Sequence, residues 1–166
     1  MTNYYPDAVQ KPLTGHSDIG TLAQKTEITL HDTEGWRASD AYNTFVYSVH
    51  PTRTSAHFII DRDLTATVYQ LLPLSDVAFH ASQVNHCSIG IEHVGIGGKL
   101  MCTDVQYQAS AKLVAWLCAN LCIPCDRQHI RTHNEASPAD HHVMCCTGAL
   151  DPDRVVALAN AVKPAS

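Results

Sequence analysis

No apolar run in this chain of 166 residues approaches the roughly 18 residues that a membrane span needs. Charge is scarce as well. Charged residues make up 16% of the chain, and the formal net charge is −5. Such a balance argues against nucleic acid as a partner, because that affinity rests on neutralising phosphates. Residues 1–10 are polar and aromatic and lack a basic n-region, so no signal peptide is expected. Internal repeats, low-complexity tracts and interdomain linkers are missing too. Gly95, Gly97 and Gly98 form a loop, but no Lys-Ser or Lys-Thr pair follows to open a helix, which excludes a phosphate cradle. Cys118, Cys122 and Cys125 lack the paired CxxC arrangement of a structural zinc clip, so buried thiols or one disulfide are expected there. What remains is one globular domain over residues 1–166 with 45% apolar content, large enough for a hydrophobic core. Pro6, Pro12, Gly15 and Gly20 mark residues 1–25 as an irregular arm packed on it.

Histidine and cysteine are plentiful by contrast, at eleven and seven. Histidine is the usual nitrogen ligand for zinc. The odd cysteine count leaves at least one thiol outside any internal disulfide scheme, and a fully reduced set is equally allowed.

The run Ile28-Thr29-Leu30-His31, closed by Gly35, reads as a short buried strand that delivers His31 to a sheet edge. Ser39 or Asp40 caps a helix with Ala41, Tyr42, Phe45, Val46 and Val49 on one face, stopped near His50 by Pro51. Residues 55–73 read as a hairpin turning at Asp61-Arg62-Asp63, with His57 as a hydrogen-bonded, half-buried residue. Residues 76–82 form a turn or short helix that exposes His80. Residues 88–95 form another strand, and Glu92 lies inside its apolar run. A carboxylate there is costly unless it faces a partner, a metal or a cleft. Residues 104–122 have helical period, capped by Asp104 and stopped by Pro124, with Val105, Leu113, Trp116, Leu117 and Leu121 sharing a face. Ile130 to His133 is a second strand ending in histidine. A last helix starts at Asp151, with Pro152 in its first position.

Two imidazoles, His31 and His133, with a thiolate from Cys145 or Cys146 and an open fourth position make a standard catalytic zinc set. Such an ion lowers the pKa of water towards ~7 and polarises a carbonyl. Glu92 is then placed to accept the water proton and pass it to a leaving amine.

The segments His31-Asp32-Thr33-Glu34-Gly35, Ser55-Ala56-His57-Phe58-Ile59-Ile60-Asp61, Val77-Ala78-Phe79-His80-Ala81, Ser88-Ile89-Gly90-Ile91-Glu92 and Thr132-His133-Asn134-Glu135 with Cys146-Thr147-Gly148 resemble a family. It is that of the type 2 N-acetylmuramoyl-L-alanine amidases, whose fold peptidoglycan recognition proteins and phage amidase-type lysozymes share. The resemblance spans about residues 28–155. It implies an α/β (α+β) fold, a mixed central sheet flanked by helices with a zinc cleft on one face. It implies one Zn2+ per chain, a peptidoglycan or muropeptide substrate and hydrolysis of the amide between N-acetylmuramic acid and L-alanine. By motif position the ligands are His31, His133 and Cys146, since the family's third ligand precedes a Pro-Gly step and Cys146 precedes Thr147-Gly148. Ala56 stands where some members carry a Tyr, which points to Glu92 as the acid/base. His80 corresponds to the histidine lining the substrate groove, with Phe79, Asn85 and His142 as further substrate contacts. Met144 stands where many active members carry a Lys or Thr oxyanion donor, and the substitute expected is His142, His141 or an inserted loop conformation. The second reading is a non-catalytic peptidoglycan-binding module. A monomer is expected, acting on the bacterial cell wall as a phage lysin, an injected effector or a cytoplasmic recycling enzyme.

Overall fold

Two parallel strands with a histidine at or just beyond their carboxyl ends, His31 near the end of β3 (Glu27–Asp32) and His133 just after β8 (Ile130–Thr132), are what the fold is built to align. The computed structural model describes residues 2–18, 24–49, 53–142 and 145–162. In chain order its strands are β1 (Val9–Gln10), β2 (Ser17–Asp18), β3 (Glu27–Asp32), β4 (Phe58–Ile60), β5 (Val68–Gln70), β6 (Val77–Ala78), β7 (Ser88–His93) and β8 (Ile130–Thr132). The α-helices are α1 (Ala38–Tyr47), α2 (Asp104–Leu121), α3 (His133–Ala136) and α4 (Pro152–Ala161), and a 3-10 turn covers Pro138–Asp140. Six strands form one mixed sheet in the order β1-β5-β4-β7-β3-β8. β3 runs parallel to both β7 and β8, and β4 runs parallel to β7. The expected hairpin is present as the antiparallel pair β4–β5. β2 and β6 make a separate two-stranded ribbon.

Side chains alternate across a strand, so the two faces of β3 and β7 differ. Ile28, Leu30, Ile89 and Ile91 point one way and join Phe58, Ile60 and Ile130 in the main core, together with Leu113, Val114 and Leu117 of α2 and Val155 of α4. Burying each such aliphatic side chain stabilises the fold by ~1.5–3 kcal/mol. The opposite face carries Thr29, His31, Gly90 and Glu92, and beside them Ile59 joins α1 through Ala38, Ala41 and Phe45.

Helix starts differ from expectation by a residue or two. α1 begins at Ala38, because the Asp40 carboxylate reaches back to accept the Arg37 N–H (3.1 Å) and the Asp61 carboxylate accepts the Ala38 N–H (3.4 Å). Its buried stripe is Ala38–Ala41–Phe45, which leaves Val46 and Val49 exposed. His50 and Pro51, expected at its end, lie outside the described residues. Thr103, not Asp104, caps α2. Its Oγ1 accepts the Gln106 N–H (3.2 Å), and Gln106 Oε1 accepts the Thr103 N–H (3.0 Å), a reciprocal capping box. That geometry buries Gln106 and turns Val105 outward. α4 starts as expected, with Asp151 Oδ1 accepting from the N–H groups of Asp153 and Arg154. The arm is less irregular than its composition implies, since β1 extends the main sheet and β2 pairs with β6.

Candidate metal centre

Register places the chemistry at the carboxyl ends of the parallel strands, where open α/β sheets hold their ligands. His31, one residue from the end of β3, stands opposite Glu92 of β7, so both side chains leave the same face. β8 lies on the other side of β3, with Thr132 opposite Leu30. The chain turns there into α3, which makes His133 its first residue. Glu135 fixes that turn by accepting the Thr132 N–H (2.8 Å), and Arg127 holds Glu135 through two bonds of 2.7 and 2.9 Å.

His31, His133 and Cys145 converge. One ligand atom from each lies within 4.8 Å of the others, and all three residues are buried. His31 Nδ1 is 3.2 Å from His133 Nδ1 and 3.6 Å from Cys145 Sγ. The set is chemically suited to zinc: two borderline nitrogens and one soft sulfur, the donor types that ion takes. The sequence motif put the thiolate at Cys146, and the structure places that side chain elsewhere. Cys146 has a left-handed backbone, φ 65°. Its thiol donates to the Leu30 carbonyl (3.1 Å), while its N–H donates to Asp32 Oδ1 (3.2 Å). The two thiols also titrate in opposite directions. The Cys146 thiol and the rings of His133 and His31 hold the Cys145 thiol well below its ordinary range. Its contact with Cys145 and its burial push the Cys146 thiol up.

Each histidine has a second partner. His133 Nε2 faces Asp140 Oδ2 at 3.0 Å, and Ser82 Oγ donates to Asp140 Oδ1. Burial would lower the His133 pKa, but the hydrogen bonds it donates to Cys145 and Asp140 outweigh it and raise the value. Desolvation would raise Asp140; Ser82 and His133 overcome it and hold the carboxyl at about 2. His31 is pushed down by burial, and its Nε2 lies 3.0 Å from His80 Nδ1. Behind the site, His93 holds the strand itself, with Nδ1 donating to the His31 carbonyl (3.0 Å) and Nε2 accepting from Ser110 Oγ (2.9 Å).

A cleft of about 370 Å³ opens over this cluster, lined among others by Thr33, Glu34, His80, Glu92 and His142. Burial, and then the charges of Cys145, Asp32 and Glu34, raise Glu92 well above the usual carboxylate range. Its Oε2 is buried and has no hydrogen-bond partner among the described residues. A carboxyl of that kind is a ready proton donor, and a divalent cation beside it restores the anion. His142 stacks on His133 with ring centroids 4.8 Å apart and a 25° tilt.

Other expected contacts have a different place. His80 is buried, not exposed. Asn85 holds the turn beneath it, Oδ1 accepting the N–H groups of His80 and Ala81 at 2.9 and 2.7 Å. Phe79 is absent from the cleft lining, and its carbonyl accepts from Ser55 and Thr54. Met144 lies outside the described residues. His57 is fully buried, with Nδ1 accepting the Gly90 N–H (3.1 Å) and Nε2 donating to the Asp76 carbonyl (3.1 Å). Reading the sequence did not single out Asp140 or His93. Their signal is spatial: Asp140 meets His133 only because the chain folds back after α3, and His93 reaches His31 from the neighbouring strand.

Comparison with known proteins gives the same fold. The sequence model of the N-acetylmuramoyl-L-alanine amidase family matches residues 21–153. Among curated proteins none matches the chain. A crystal structure of a selenomethionine AmpD derivative superposes with a TM-score of 0.76 at 22% identity, covering 95% of this chain and 97% of its own. The N-acetylmuramoyl-L-alanine amidase LysC from Clostridium intestinale URNW has a TM-score of 0.76 at 18% identity, covering 94% and 99%. The catalytic domain of XlyA has a TM-score of 0.62 at 21% identity, covering 92% and 98%.

Proposed function

This chain belongs to the N-acetylmuramoyl-L-alanine amidase family, and from that premise we propose that it is a zinc hydrolase cutting the amide between N-acetylmuramic acid and L-alanine of peptidoglycan or its fragments. Family and structural neighbours support peptidoglycan amide hydrolysis. The observation that carries the finer reading is the convergence of His31, His133 and Cys145 beside Glu92 in one cleft.

In this reading His31, His133 and Cys145 hold one zinc ion. Zinc in such a site supplies a Lewis acid that polarises the substrate carbonyl and acidifies water. Glu92 takes a proton from the attacking water and returns it to the leaving amine. Its partnerless Oε2, buried at the cleft, is free for that traffic. Asp140 accepts the His133 Nε2 proton and so presents Nδ1 to the ion. With Cys145 as the ligand, the position two residues earlier is Val143, which lacks a donor just as Met144 does. His142 lines the cleft and stands next in the chain, and its ring N–H is the donor we assign to the developing oxyanion. The substrate is cell-wall material met by a monomer. No helix among the described residues is long and apolar enough to cross a membrane.

Incubating the protein with purified muropeptides, with and without a chelator, and weighing the products tests this. The expected result is release of the free stem peptide, blocked by the chelator and restored by zinc. Intact muropeptides in every arm, with zinc bound, would turn the assignment towards the peptidoglycan-binding module.

A further inference from the structure

We infer that His80 is a positioning residue for the metal ligand His31, which it holds in the one tautomer that can bind through Nδ1. This rests on the zinc reading above. His31 turns Nδ1 to His133 and Cys145, and Nε2 to His80 Nδ1 at 3.0 Å. A neutral imidazole carries one proton. If Nδ1 is to offer its lone pair, Nε2 must carry that proton and needs an acceptor. His80 Nδ1 stands where that acceptor is needed, which assigns the His80 proton to Nε2, a buried atom without a partner among the described residues.

The fold goes to some length to put it there. His80 is 8% exposed, although it lies on a turn. Its ring packs edge-on to His31, with centroids 5.1 Å apart and an 88° tilt. The same ring lies on the backbone of Gly90. A Cβ added at Gly90 would meet His80 ring atoms at 2.7, 2.9 and 3.0 Å, closer than real contacts allow, so β7 needs glycine at this point. His57 fixes Gly90 from below by accepting its N–H, and Asn85 fixes the His80 backbone from the side. Three residues therefore set one acceptor, and none of the three lies among the residues lining the cleft.

The two nitrogen ligands consequently have unlike supports. His133 donates to an anion, Asp140, and His31 donates to a neutral ring. The carboxylate raises the basicity of its histidine more, so His31 depends on orientation above all.

Two variants and one spectrum test the assignment. His80→Leu keeps bulk and removes the acceptor. His80→Asn places an acceptor oxygen close to where Nδ1 stands. Zinc affinity is read by competition with a chromogenic chelator, and folding by the thermal melt of the metal-free chain. His80→Leu is expected to weaken zinc binding by ~10–100-fold, the range typical of a lost ligand-supporting residue, and His80→Asn to recover most of that loss. Gly90→Ala, which displaces the ring without altering it, is expected to weaken binding in the same direction. A folded His80→Leu chain with parental affinity would overturn the inference, and so would an Asn variant as weak as the Leu variant. The spectrum needs no substitution. In the zinc-loaded parent, ring nitrogen shifts should show His31 protonated at Nε2 and bound at Nδ1, and the reverse tautomer would overturn the inference. A parent chain that takes up no zinc would instead remove the metal reading, and this inference with it.

Discussion

Cys145 and Cys146 are neighbours in sequence with opposite surroundings, one thiol among imidazoles and the other on a backbone carbonyl. Cys145→Ser should lose zinc by more than the ~10–100-fold of a lost supporting residue. Cys146→Ser, whose hydroxyl can still donate to Leu30, should keep it. Equal zinc affinities in the two variants, by competition titration, would contradict the assignment. Glu92→Gln should keep the metal and lose ~10²–10⁴ in turnover, the usual contribution of an acid/base; full muropeptide hydrolysis by that variant would remove Glu92 from the reaction. That His31, His133 and Glu92 are brought to one place was legible in the sequence, because each lies in or just after an apolar strand with a fixed side-chain direction. The choice between two adjacent cysteines was not. A motif counts residues along the chain, whereas the thiol direction depends on the left-handed backbone at Cys146. His80 was misread as exposed. The missing information was the bare backbone of Gly90 on another strand.

Elements were legible where a period or a cap was strong. The strands around His31, Glu92 and Ile130, the β4–β5 hairpin and the three long helices all follow from apolar patterning and turn residues. Cap positions slipped where two candidates stood side by side. Thr103 beats Asp104 because its partner Gln106 sits three residues on, the spacing of a capping box. Thr103→Ala should therefore cost ~0.5–2 kcal/mol of stability, and Asp104→Ala less. Urea unfolding of both variants checks the order, and a larger loss in Asp104→Ala would contradict it. The two-residue strands β1 and β2 were not legible, because so short a segment carries no period. They exist through pairing with β5 and β6, and through the Gln70 side chain, which bonds both Tyr5 and Asn3.

At the scale of the whole molecule, the polar face of the sheet is a buried layer of imidazoles that fold best when neutral. Burial pushes His57 down to about 3, against about 6.5 for an unfolded histidine. Below pH 6.5 the unfolded chain therefore binds a proton that the folded chain refuses. Stability is lost as pH falls from about 6.5 towards 3, by ~1.4 kcal/mol per pH unit for this one group. Asp32, pushed up to about 6 by burial, works in the opposite direction over its own range, so the His57 contribution is best read as a difference. The parent minus His57→Gln difference in unfolding free energy, measured on metal-free protein between pH 6 and 4, should shrink at about that slope as pH falls. A pH-independent difference would mean that His57 is not held neutral.

All three scales meet in the ion that His31, His133 and Cys145 are arranged to hold. Zinc K-edge absorption of the loaded chain reads that arrangement directly. The account predicts two nitrogen neighbours at about 2.0–2.1 Å and a single sulfur at about 2.3 Å, with the sulfur lost in Cys145→Ser and retained in Cys146→Ser. A parent spectrum without sulfur, or one whose sulfur vanishes with Cys146, would contradict it.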